Sequence, residues 1–434
     1  MLQRPRLALF TLWLLVFAAA GQIIVVAPIL PRIAEQLGMD PGPLGLLITV
    51  YAVALASFTL IVGPVSDRFG RRRVILVGTA AMAGSLLLHG LADSFESLLV
   101  LRALSGAAGG VLSGASVAYV GDTFPPERRG WANGWVMSGF AVGQILGIPA
   151  GIALADAFGF RAPFVAFGLA MVAAFVMAFP ALPQPPGATS SEPLTIRSAL
   201  GGYRALIGGR ETGAAAAIFL ILFAGVGLFV VYFPTWLEAS LGYTSGQVAL
   251  VYVLGGVANV IVGPRAGRLS DRIGRRPVIV AASVGLGLAM AATPLAGAVP
   301  EAAFVAFFLI MGLAAARISP LQALLTEMVP GPRRGSFMSL STATGNGGFA
   351  VGSALAGALF AASGFGANAA VAGTTALVAA GLVWRFLPAG LPQQAPDPAL
   401  AGCAGRAVQT ALGGPCPEAG MMTEAAQRRV AASV

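Results

Sequence analysis

The feature that most constrains the fold is a ten-residue segment that occurs twice. Residues 63–72 read GPVSDRFGRR, and residues 267–276 read GRLSDRIGRR. The shared pattern GxxxDRxGRR recurs at an offset of 204 residues, and each copy lies between two strongly apolar stretches. The sequence therefore predicts an internal duplication in which each half carries a charged turn between two apolar helices.

The composition restricts the protein class. Of the 434 residues, 57% are hydrophobic and only 10% are charged, whereas soluble domains carry about 25% charged residues. The mean hydropathy is +0.84. A chain with so few charged residues cannot cover a soluble surface of its size, so the composition indicates an integral membrane protein with many spans.

Twelve stretches are long and apolar enough to cross a bilayer, which takes about 20 residues each. We predict an all-α integral membrane protein of twelve transmembrane helices in two pseudo-symmetric six-helix bundles. The division is an N-terminal bundle at 1–182, a cytoplasmic linker at 183–212, a C-terminal bundle at 213–388 and a disordered cytoplasmic tail at 389–434. The predicted spans are 8–29, 43–63, 74–92, 97–121, 131–154, 163–182, 213–236, 246–266, 277–298, 303–327, 337–361 and 367–387.

The basic residues predict the orientation. Lysine is absent, and all 26 basic residues are arginine. With a cytoplasmic N-terminus, Arg32 and Arg161 lie in outer loops, Arg102 and Arg317 lie within spans, and the other 22 lie in cytoplasmic segments. Because cytoplasmic loops are enriched in Lys and Arg, we predict a multi-pass protein of the inner (plasma) membrane with both termini in the cytoplasm.

The duplication extends beyond the charged turn. Arg128-Arg129-Gly130 recurs as Arg333-Arg334-Gly335 at an offset of 205, and Asp122 corresponds to Glu327 at the same offset. The segment GFAVG occurs at 139–143 and again at 348–352. Parallel repeats of six spans are typical of transporters whose two bundles are related by an axis along the membrane normal.

At this point the chain resembles the major facilitator superfamily over residues 8 to 388. The charged turn after the second span of each half carries the resemblance, together with Leu98-xxx-Arg102-xxx-Gly106 on the fourth span. The glycine-proline pattern of the fifth span, residues 139–151, resembles that of the antiporter branch, and Phe158-Gly-Phe-Arg-Ala-Pro-Phe164 resembles the turn that follows it. Within the superfamily, the chain is most similar to the proton-dependent drug and sugar efflux group.

The resemblance implies a conformational latch. Asp67, Arg71 and Asp122 would form a charge relay that holds the two halves in an outward-open state, and Asp271, Arg275 and Glu327 would be the equivalent set. Anchoring by the positive-inside rule alone would explain the arginines but not the recurring carboxylates. The predicted latch residues are Gly63, Asp67, Arg68, Gly70, Arg71, Asp122, Gly267, Asp271, Arg272, Gly274, Arg275 and Glu327.

Glycines have two predicted uses. Gly63 and Gly267 would allow close helix approach, and Gly70 and Gly274 would supply a positive φ for a tight turn. On the fifth span, glycines spaced by four line one helix face, where they permit backbone contact with a neighbouring helix, and a proline stiffens or kinks it. The resemblance places this helix at the interface between the halves. Its residues are Gly139, Gly143, Gly147, Pro149 and Gly151.

Two arginines lie within predicted spans. We expect Arg102, about one turn from the outer end of its span, to face the bundle because a charge is costly in lipid, although it could reach the outer interface instead. The resemblance implies a part in proton coupling. Arg317, near the middle of its span, could be neutralised by carbonyls that Pro320 frees, by Gln322, by water, or by an anionic substrate.

Other polar and aromatic residues are candidates for a central cavity, because transporter sites lie at mid-depth between repeats. None of the predicted spans contains Asp or Glu at mid-depth, so proton coupling rests on the resemblance, with Glu35, Asp122 or the substrate as carriers. We expect His89 to be an interface residue. The cavity candidates are Gln22, Tyr51, Tyr119, Gln144, Tyr232, Tyr252, Asn259, Gln322, Asn346 and, for coupling, Glu35.

The predicted function is a secondary active transporter that exports a small organic molecule by alternating access, as a proton antiporter. The alternatives are an uptake symporter for a small organic anion bound by Arg317, or a non-transporting sensor or lipid translocase. The predicted partners are a small-molecule substrate, protons and the lipid bilayer, with no nucleic acid, and the chain is expected to be a monomer. No cofactor or metal is predicted, and no motif indicates an enzyme.

Overall fold

A computed structural model describes most of the chain. The described residues are 5–40, 42–113, 119–120, 122–124, 126–183, 203–204, 206–299, 301–329 and 331–388. Within them, the side chains of 63–65, 67–68, 126–127, 129–130, 133, 298, 326 and 331–336 are outside the description. The predicted tail at 389–434 and most of the predicted linker also fall outside the described residues, so these two boundaries stay predictions.

Every regular element among the described residues is a helix. The apolar composition explains this, because a helix satisfies all its backbone hydrogen bonds internally in lipid. The helices are α1 Pro5–Ile24, α2 Val26–Leu37, α3 Gly45–Phe69, α4 Arg71–Leu88, α5 Phe95–Leu112, α6 Pro126–Val142, α7 Ile148–Phe158, α8 Arg161–Ala181, α9 Arg210–Val230, α10 Phe233–Leu241, α11 Ser245–Ile273, α12 Arg275–Ala292, α13 Ala302–Met328 and α14 Gly331–Phe386.

The stretches long enough to span a membrane match the twelve predicted spans in number. Eleven stretches of the described chain are long and apolar enough to cross a membrane, and the last of them covers 50 residues, Phe337–Phe386. Gly364 interrupts that stretch with φ 69° and ψ −177°, so α14 consists of two helices that meet at a kink. This kink falls between the predicted spans 337–361 and 367–387, and the all-helical membrane fold is confirmed.

The first span of each half differs from the prediction. Residues 8–29 were expected to form one helix, but α1 ends at Ile24 and α2 begins at Val26. In the second half, α9 ends at Val230 and α10 begins at Phe233. Pro28 and Pro234 lie in the first turn of the second segment in each case, where proline cannot donate the backbone hydrogen bond that would continue the helix.

The turns of the two halves repeat as closely as the sequence. Gly70 and Gly274, which end α3 and α11, have φ of 90° and 98°, as the sequence predicted. Gly38 and Gly242, also 204 residues apart, end α2 and α10 in the left-handed conformation, with φ of 63° and 68°. Both repeats therefore turn the chain with glycine at the same places.

We define the first half as residues 5–182 and the second half as 210–388. The arginine-rich end of the bundle carries the charged turns at 67–73 and 271–276, and the arginine-poor end carries 30–45, 89–95 and 232–245. One continuous apolar cluster contains buried residues from the whole first half and from the arginine-poor part of the second half. A separate cluster fills the arginine-rich part of the second half. Among the described side chains, the two halves thus share a core only toward the arginine-poor end.

Candidate functional site

The charged turn of the first half ties three helical segments together. The Nε of Arg71 donates to Oδ2 of Asp122 at 2.9 Å, and its Nη1 donates to Oγ of Ser66 at 3.0 Å. Arg71 and Asp122 have side-chain exposures of 19% and 37%. The bond joins the start of α4 to the segment that follows α5, so it fixes helices of the same half to each other.

The second half repeats this arrangement at the equivalent residues. The Nε and Nη2 of Arg275 donate to Oε1 of Glu327 at 3.1 and 2.8 Å, and its Nη1 donates to Oγ of Ser270 at 3.2 Å. Arg275 also contacts Asp271, one turn earlier, at 2.6 Å. The predicted pairs between arginines and carboxylates therefore form in both repeats.

The geometry changes the interpretation of the predicted latch. The resemblance implied a relay that holds the two halves together, but the described pairs join Arg71 to Asp122 and Arg275 to Glu327 within one half. The surroundings of Gly63 and the side chains of Asp67 and Arg68 lie outside the description. Gly267 does allow a close approach, since a Cβ there would lie 3.1 Å from Oγ of Ser319, whereas Arg272 is exposed. Any role between the halves stays a prediction.

Sequence reasoning missed a second repeated contact in these turns. The guanidinium of Arg72 lies 6.0 Å from the ring centroid of Phe179, and that of Arg276 lies 4.2 Å from the ring centroid of Trp384. Both pairs can contribute cation–π attraction. The offset between the arginines is 204 and that between the aromatic residues is 205, so extending the repeat search to the sixth span would have found them.

The first half contains a buried polar cluster around Arg102. The Nη1 of Arg102 donates to Oε1 of Gln22 at 2.9 Å, and Nε2 of Gln22 donates to Oη of Tyr51 at 3.0 Å. The guanidinium lies 4.3 Å from the ring centroid of Tyr51, and Nε donates to the carbonyl of Leu47 at 3.4 Å. Arg102 is 1% exposed, so it faces the bundle as predicted and does not reach the outer interface.

Gly106 explains how α5 comes close enough to α3 to build this cluster. A Cβ at Gly106 would overlap the backbone oxygen of Tyr51. Only glycine leaves room for such an approach. The Leu98-xxx-Arg102-xxx-Gly106 pattern therefore has a packing reason, because the residue one turn after the arginine must have no side chain.

His89 is not the interface residue that we expected. It is fully buried, its ring stacks on Phe164 with centroids 4.4 Å apart, and Nδ1 lies 2.7 Å from the carbonyl oxygen of Ser85. Its position at the end of α4 indicated the interface, but the aromatic ring of α8 covers it. No feature of the sequence around His89 distinguishes these two environments.

The glycines of the fifth span pack against the first span of the same half. A Cβ at Gly139 would lie 2.6 Å from the backbone oxygen of Trp13, and one at Gly143 would lie 2.9 Å from that of Phe17. Gly147 lies against Gly21, and Gly151 lies against Val25. The contacting residues are therefore spaced by four in both spans.

The resemblance placed the fifth span at the interface between the halves, and part of this span lies there. Ile145 packs on Gly256 of α11, in the second half. Ile145 belongs to a π-helical turn, Gly143–Gly147, between α6 and α7, and Pro149 lies at the start of α7. Both this turn and α7 contact α11, while the glycine face of the span packs within the first half.

Arg317 contrasts with Arg102. It is 3% exposed, and its buried Nε has no hydrogen-bond partner among the described residues. Gln322, predicted as a partner, is exposed. Gly263 and Gly267 of α11 pack against Ala315 and Ser319 on either side of it. The structure thus leaves a buried guanidinium on α13 without a carboxylate partner in the described part of the chain.

No hydrogen bond among the described residues joins the other predicted cavity residues to one another, and their place in a cavity stays a prediction. Tyr119 donates from Oη to the carbonyl of Pro183 at 2.8 Å, and the buried Oη of Tyr252 has no partner among the described residues. Asn346 donates to the carbonyl of Thr342 at 3.0 Å. Gln144 and Asn259 are partly buried, and Glu35 is exposed.

An ion pair that the sequence did not predict joins the two halves at the arginine-poor end. The Nη1 of Arg32 on α2 contacts Oε1 of Glu238 on α10 at 2.5 Å, and its Nε contacts Oδ1 of Asp156 on α7 at 2.8 Å. Burial alone would lower the pKa of Arg32, but the hydrogen bonds and negative charges of Glu238 and Asp156 outweigh it and raise the pKa. Arg32 therefore remains a cation.

Neutral hydrogen bonds lie beside this ion pair. The Oη of Tyr232 donates to the carbonyl of Gly42 at 2.6 Å and accepts from the backbone N–H of Gly45 at 3.2 Å. The hydroxyls of Thr49 and Ser353 are 2.8 Å apart. Tyr232, predicted to line a central cavity, instead closes the arginine-poor end by bonding α9–α10 to the start of α3.

The fold and these contacts define a class. Two repeats of six membrane-spanning stretches form a two-bundle membrane transport fold. Each repeat is braced by its own ion pair, and the two are joined at one end. The sequence model of the Major Facilitator Superfamily matches residues 12–265 and 215–413. The chain belongs to this superfamily, whose fold is that of transporters and not of enzymes.

Individual relatives agree with this assignment. The chain is 27% identical over 359 residues to YceJ of Bacillus subtilis, described as an uncharacterized MFS-type transporter, with 80% of this chain and 89% of that protein covered. It is 29% identical over 289 residues to the multidrug resistance protein MdtG of Citrobacter koseri, with 63% and 68% covered. These names support a transporter of the drug-efflux type.

Solved structures show the same fold. The crystal structure of a D-xylose-proton symporter superposes with a TM-score of 0.74 at 17% identity, covering 90% of this chain and 99% of the other. The human organic anion transporter MFSD10 superposes with a TM-score of 0.66 at 18% identity, covering 87% and 99%.

Proposed function

We propose that this chain is a secondary active transporter that exports a small organic molecule by alternating access, in exchange for protons. The observation that carries the proposal is the way in which the halves meet. Cross-half bonds at Arg32, Tyr232 and Thr49 close the arginine-poor end, and the shared core does not extend to the other end of the second half. Rocking of one half against the other would open this end and close the opposite one.

The proposed orientation and the proposed substrate class have separate supports. In this proposal the arginine-rich end faces the cytoplasm, so the closed end faces outward in the arrangement described. The relatives named for multidrug resistance support export of a drug-like molecule. A sugar or a metabolite also belongs to the proposed substrate class. The fold does not determine which solute binds, because the residues of the cavity do.

A second candidate function is the uptake of a small organic anion bound by Arg317. The observation that favours it is the buried Nε of Arg317, which finds no partner among the described residues. Guanidinium groups bind carboxylates and phosphates through two parallel hydrogen bonds. An anionic substrate would therefore supply the partner that the protein does not.

The first experiment is ligand-induced thermal stabilisation of the purified protein across anionic, neutral and cationic compounds, in wild type and Arg317→Gln. A ligand present at about 100 times its dissociation constant stabilises by about 2.7 kcal/mol. If cationic or neutral amphiphiles stabilise both proteins alike, drug export is favoured. If anions stabilise and Arg317→Gln removes the response, the anion carrier is favoured.

Arg102→Gln is the matched control, because it removes the same charge from a buried position where protein groups already bind the arginine. We expect it to lower the melting temperature but to leave the anion response in place. Transport itself is tested in liposomes with an imposed proton gradient. Flux of a stabilising compound without any proton movement would contradict the antiport mechanism. The absence of flux of any compound under any gradient would overturn the proposal.

A further inference from the structure

Arg32 makes two ion pairs of different kinds. Its bond to Asp156 connects α2 to α7 within the first half, whereas its bond to Glu238 connects the first half to the second. Losing the Glu238 bond would leave Arg32 still paired. Losing the Asp156 bond would leave the two halves still joined. Neutralising Glu238 therefore removes the ion pair between the halves without leaving a partly buried cation unpaired.

Protons can reach Glu238 from the arginine-poor side. It lines two solvent-open cavities, one of about 970 Å³ and one of about 480 Å³. The wall of the larger cavity comes from both halves, with Glu35 and Asp40 on one side and Thr235 on the other. The Oγ1 of Thr235 is buried and has no hydrogen-bond partner among the described residues, so a polar group stands unsatisfied beside the carboxylate.

The charged groups around Glu238 act in opposite directions. Arg32 stabilises the charged carboxylate of Glu238, whereas Asp156 of α7, which shares this guanidinium, repels it. Glu35 of α2 lines both cavities, and Asp40 lines the larger one. Carboxylates close together repel one another, and a proton on one of them relieves the repulsion.

We propose that Glu238 is the proton-binding residue of a gate at the arginine-poor end. A proton from that side adds to the carboxylate of Glu238 and breaks its ion pair with Arg32. The guanidinium keeps its charge and stays on Asp156, and the neutral hydrogen bonds of Tyr232 and Thr49 are left to hold this end closed. Deprotonation restores the pair and closes the gate. This inference rests on the proposed proton antiport, and it concerns the gate and not the residue that carries the proton across the membrane.

The test measures the distance between the halves and not transport. Spin labels are attached at Leu91→Cys and Leu295→Cys, which are exposed positions at the arginine-poor end of the first and second half. The two native cysteines, Cys403 and Cys416, are replaced by serine. Pulsed electron paramagnetic resonance on the full chain in lipid vesicles gives the distance distribution from about pH 8 to about pH 4, a range that reaches the ordinary pKa of a glutamate side chain.

We expect the wild-type distribution to shift toward longer distances as the pH falls. Glu238→Gln should give the long distance at every pH, and Glu238→Asp should keep the pH response. Asp156→Asn, the matched control on the same arginine, should hold the short distance to a lower pH because Glu238 then has Arg32 to itself. A label pair within the first half, at Leu91→Cys and Phe158→Cys, should not change.

Two results would overturn the inference. One is a wild-type distance that does not depend on pH. The other is an identical pH response in wild type and Glu238→Gln. The proposed function is tested separately. A gate that responds to pH without proton-linked flux would contradict the antiport alone. Proton-linked flux with a gate that does not respond to pH would contradict the role of Glu238 alone.

Discussion

The two ends of the molecule use ion pairs in opposite ways. At the arginine-rich end, Arg71–Asp122 and Arg275–Glu327 are repeated bonds, and each lies within one half. At the arginine-poor end, Arg32–Glu238 occurs once and crosses between the halves. At the repeat offset of 204, the position equivalent to Arg32 holds Trp236, and Ala34 is equivalent to Glu238. The duplicated bonds brace each half, and the bond that joins the halves arose where the repeats differ.

This difference has a mechanical meaning. A rocking motion requires rigid halves and a reversible connection between them. The repeated pairs do not cross the moving boundary, so they can persist in both states. The cross-half pair is broken and remade, and its side-chain exposures of 15% and 18% leave it accessible to water.

The largest expected effect tests the rigidity of the repeated turns. Gly70→Ala and Gly274→Ala should each cost about 1–3 kcal/mol of unfolding free energy, because a Cβ is strained at φ of 90° and 98°. The controls are Gly38→Ala and Gly242→Ala, whose left-handed conformation, with φ of 63° and 68°, should cost nearer about 1 kcal/mol. The measurement is unfolding of the purified variants in detergent, and equal losses in all four would show that the turns are not specially constrained.

The next effect concerns the cross-half pair. A double-mutant cycle with Arg32→Gln and Glu238→Gln should give a coupling energy of about 1 kcal/mol, within the range found for residues in direct contact. Both single variants should also lengthen the distance between labels at Leu91→Cys and Leu295→Cys. A coupling energy of zero, or an unchanged distance, would mean that the ion pair does not hold the halves together.

The smallest effect concerns the repeated pairs. Asp122→Asn and Glu327→Gln should each lower the unfolding free energy by only about 0–1 kcal/mol, because ion pairs at an exposed edge are screened by water. Their carboxylates are 37% and 43% exposed. Neither variant should change the label distance between the halves. A change as large as that of Glu238→Gln would show that these pairs act as a latch between the halves after all.

Much of the fold could be predicted from local patterns. Apolar length predicted the spans, the duplicated motif predicted the two halves, and the family resemblance implied the arginine–carboxylate pairs, with the repeat offset matching Asp122 to Glu327. The breaks after Ile24 and Val230 were missed, although Pro28 and Pro234 mark them. The stacking of Arg72 and Arg276 on aromatic residues was also missed, because the repeat was not followed into the sixth span.

The candidate site was less predictable. Arg102 was expected to face the bundle, but Gln22, Tyr51 and the carbonyl of Leu47 are its partners because Gly106 brings α5 against α3. Tyr232 was assigned to a cavity and instead bonds across the halves. These contacts join residues far apart in sequence, and no local pattern specifies them.

The sequence by itself determined that this chain spans a membrane many times, that it is a duplication, and where each half turns. Those properties depend on composition, on helix length and on residues close together in the chain. Only the tertiary structure decided that Arg32 meets Glu238, that His89 is buried and that Arg317 lacks a carboxylate partner in the described residues. A membrane helix that is apolar on every side carries little information about its rotation, so packing between distant helices decides which polar side chains meet.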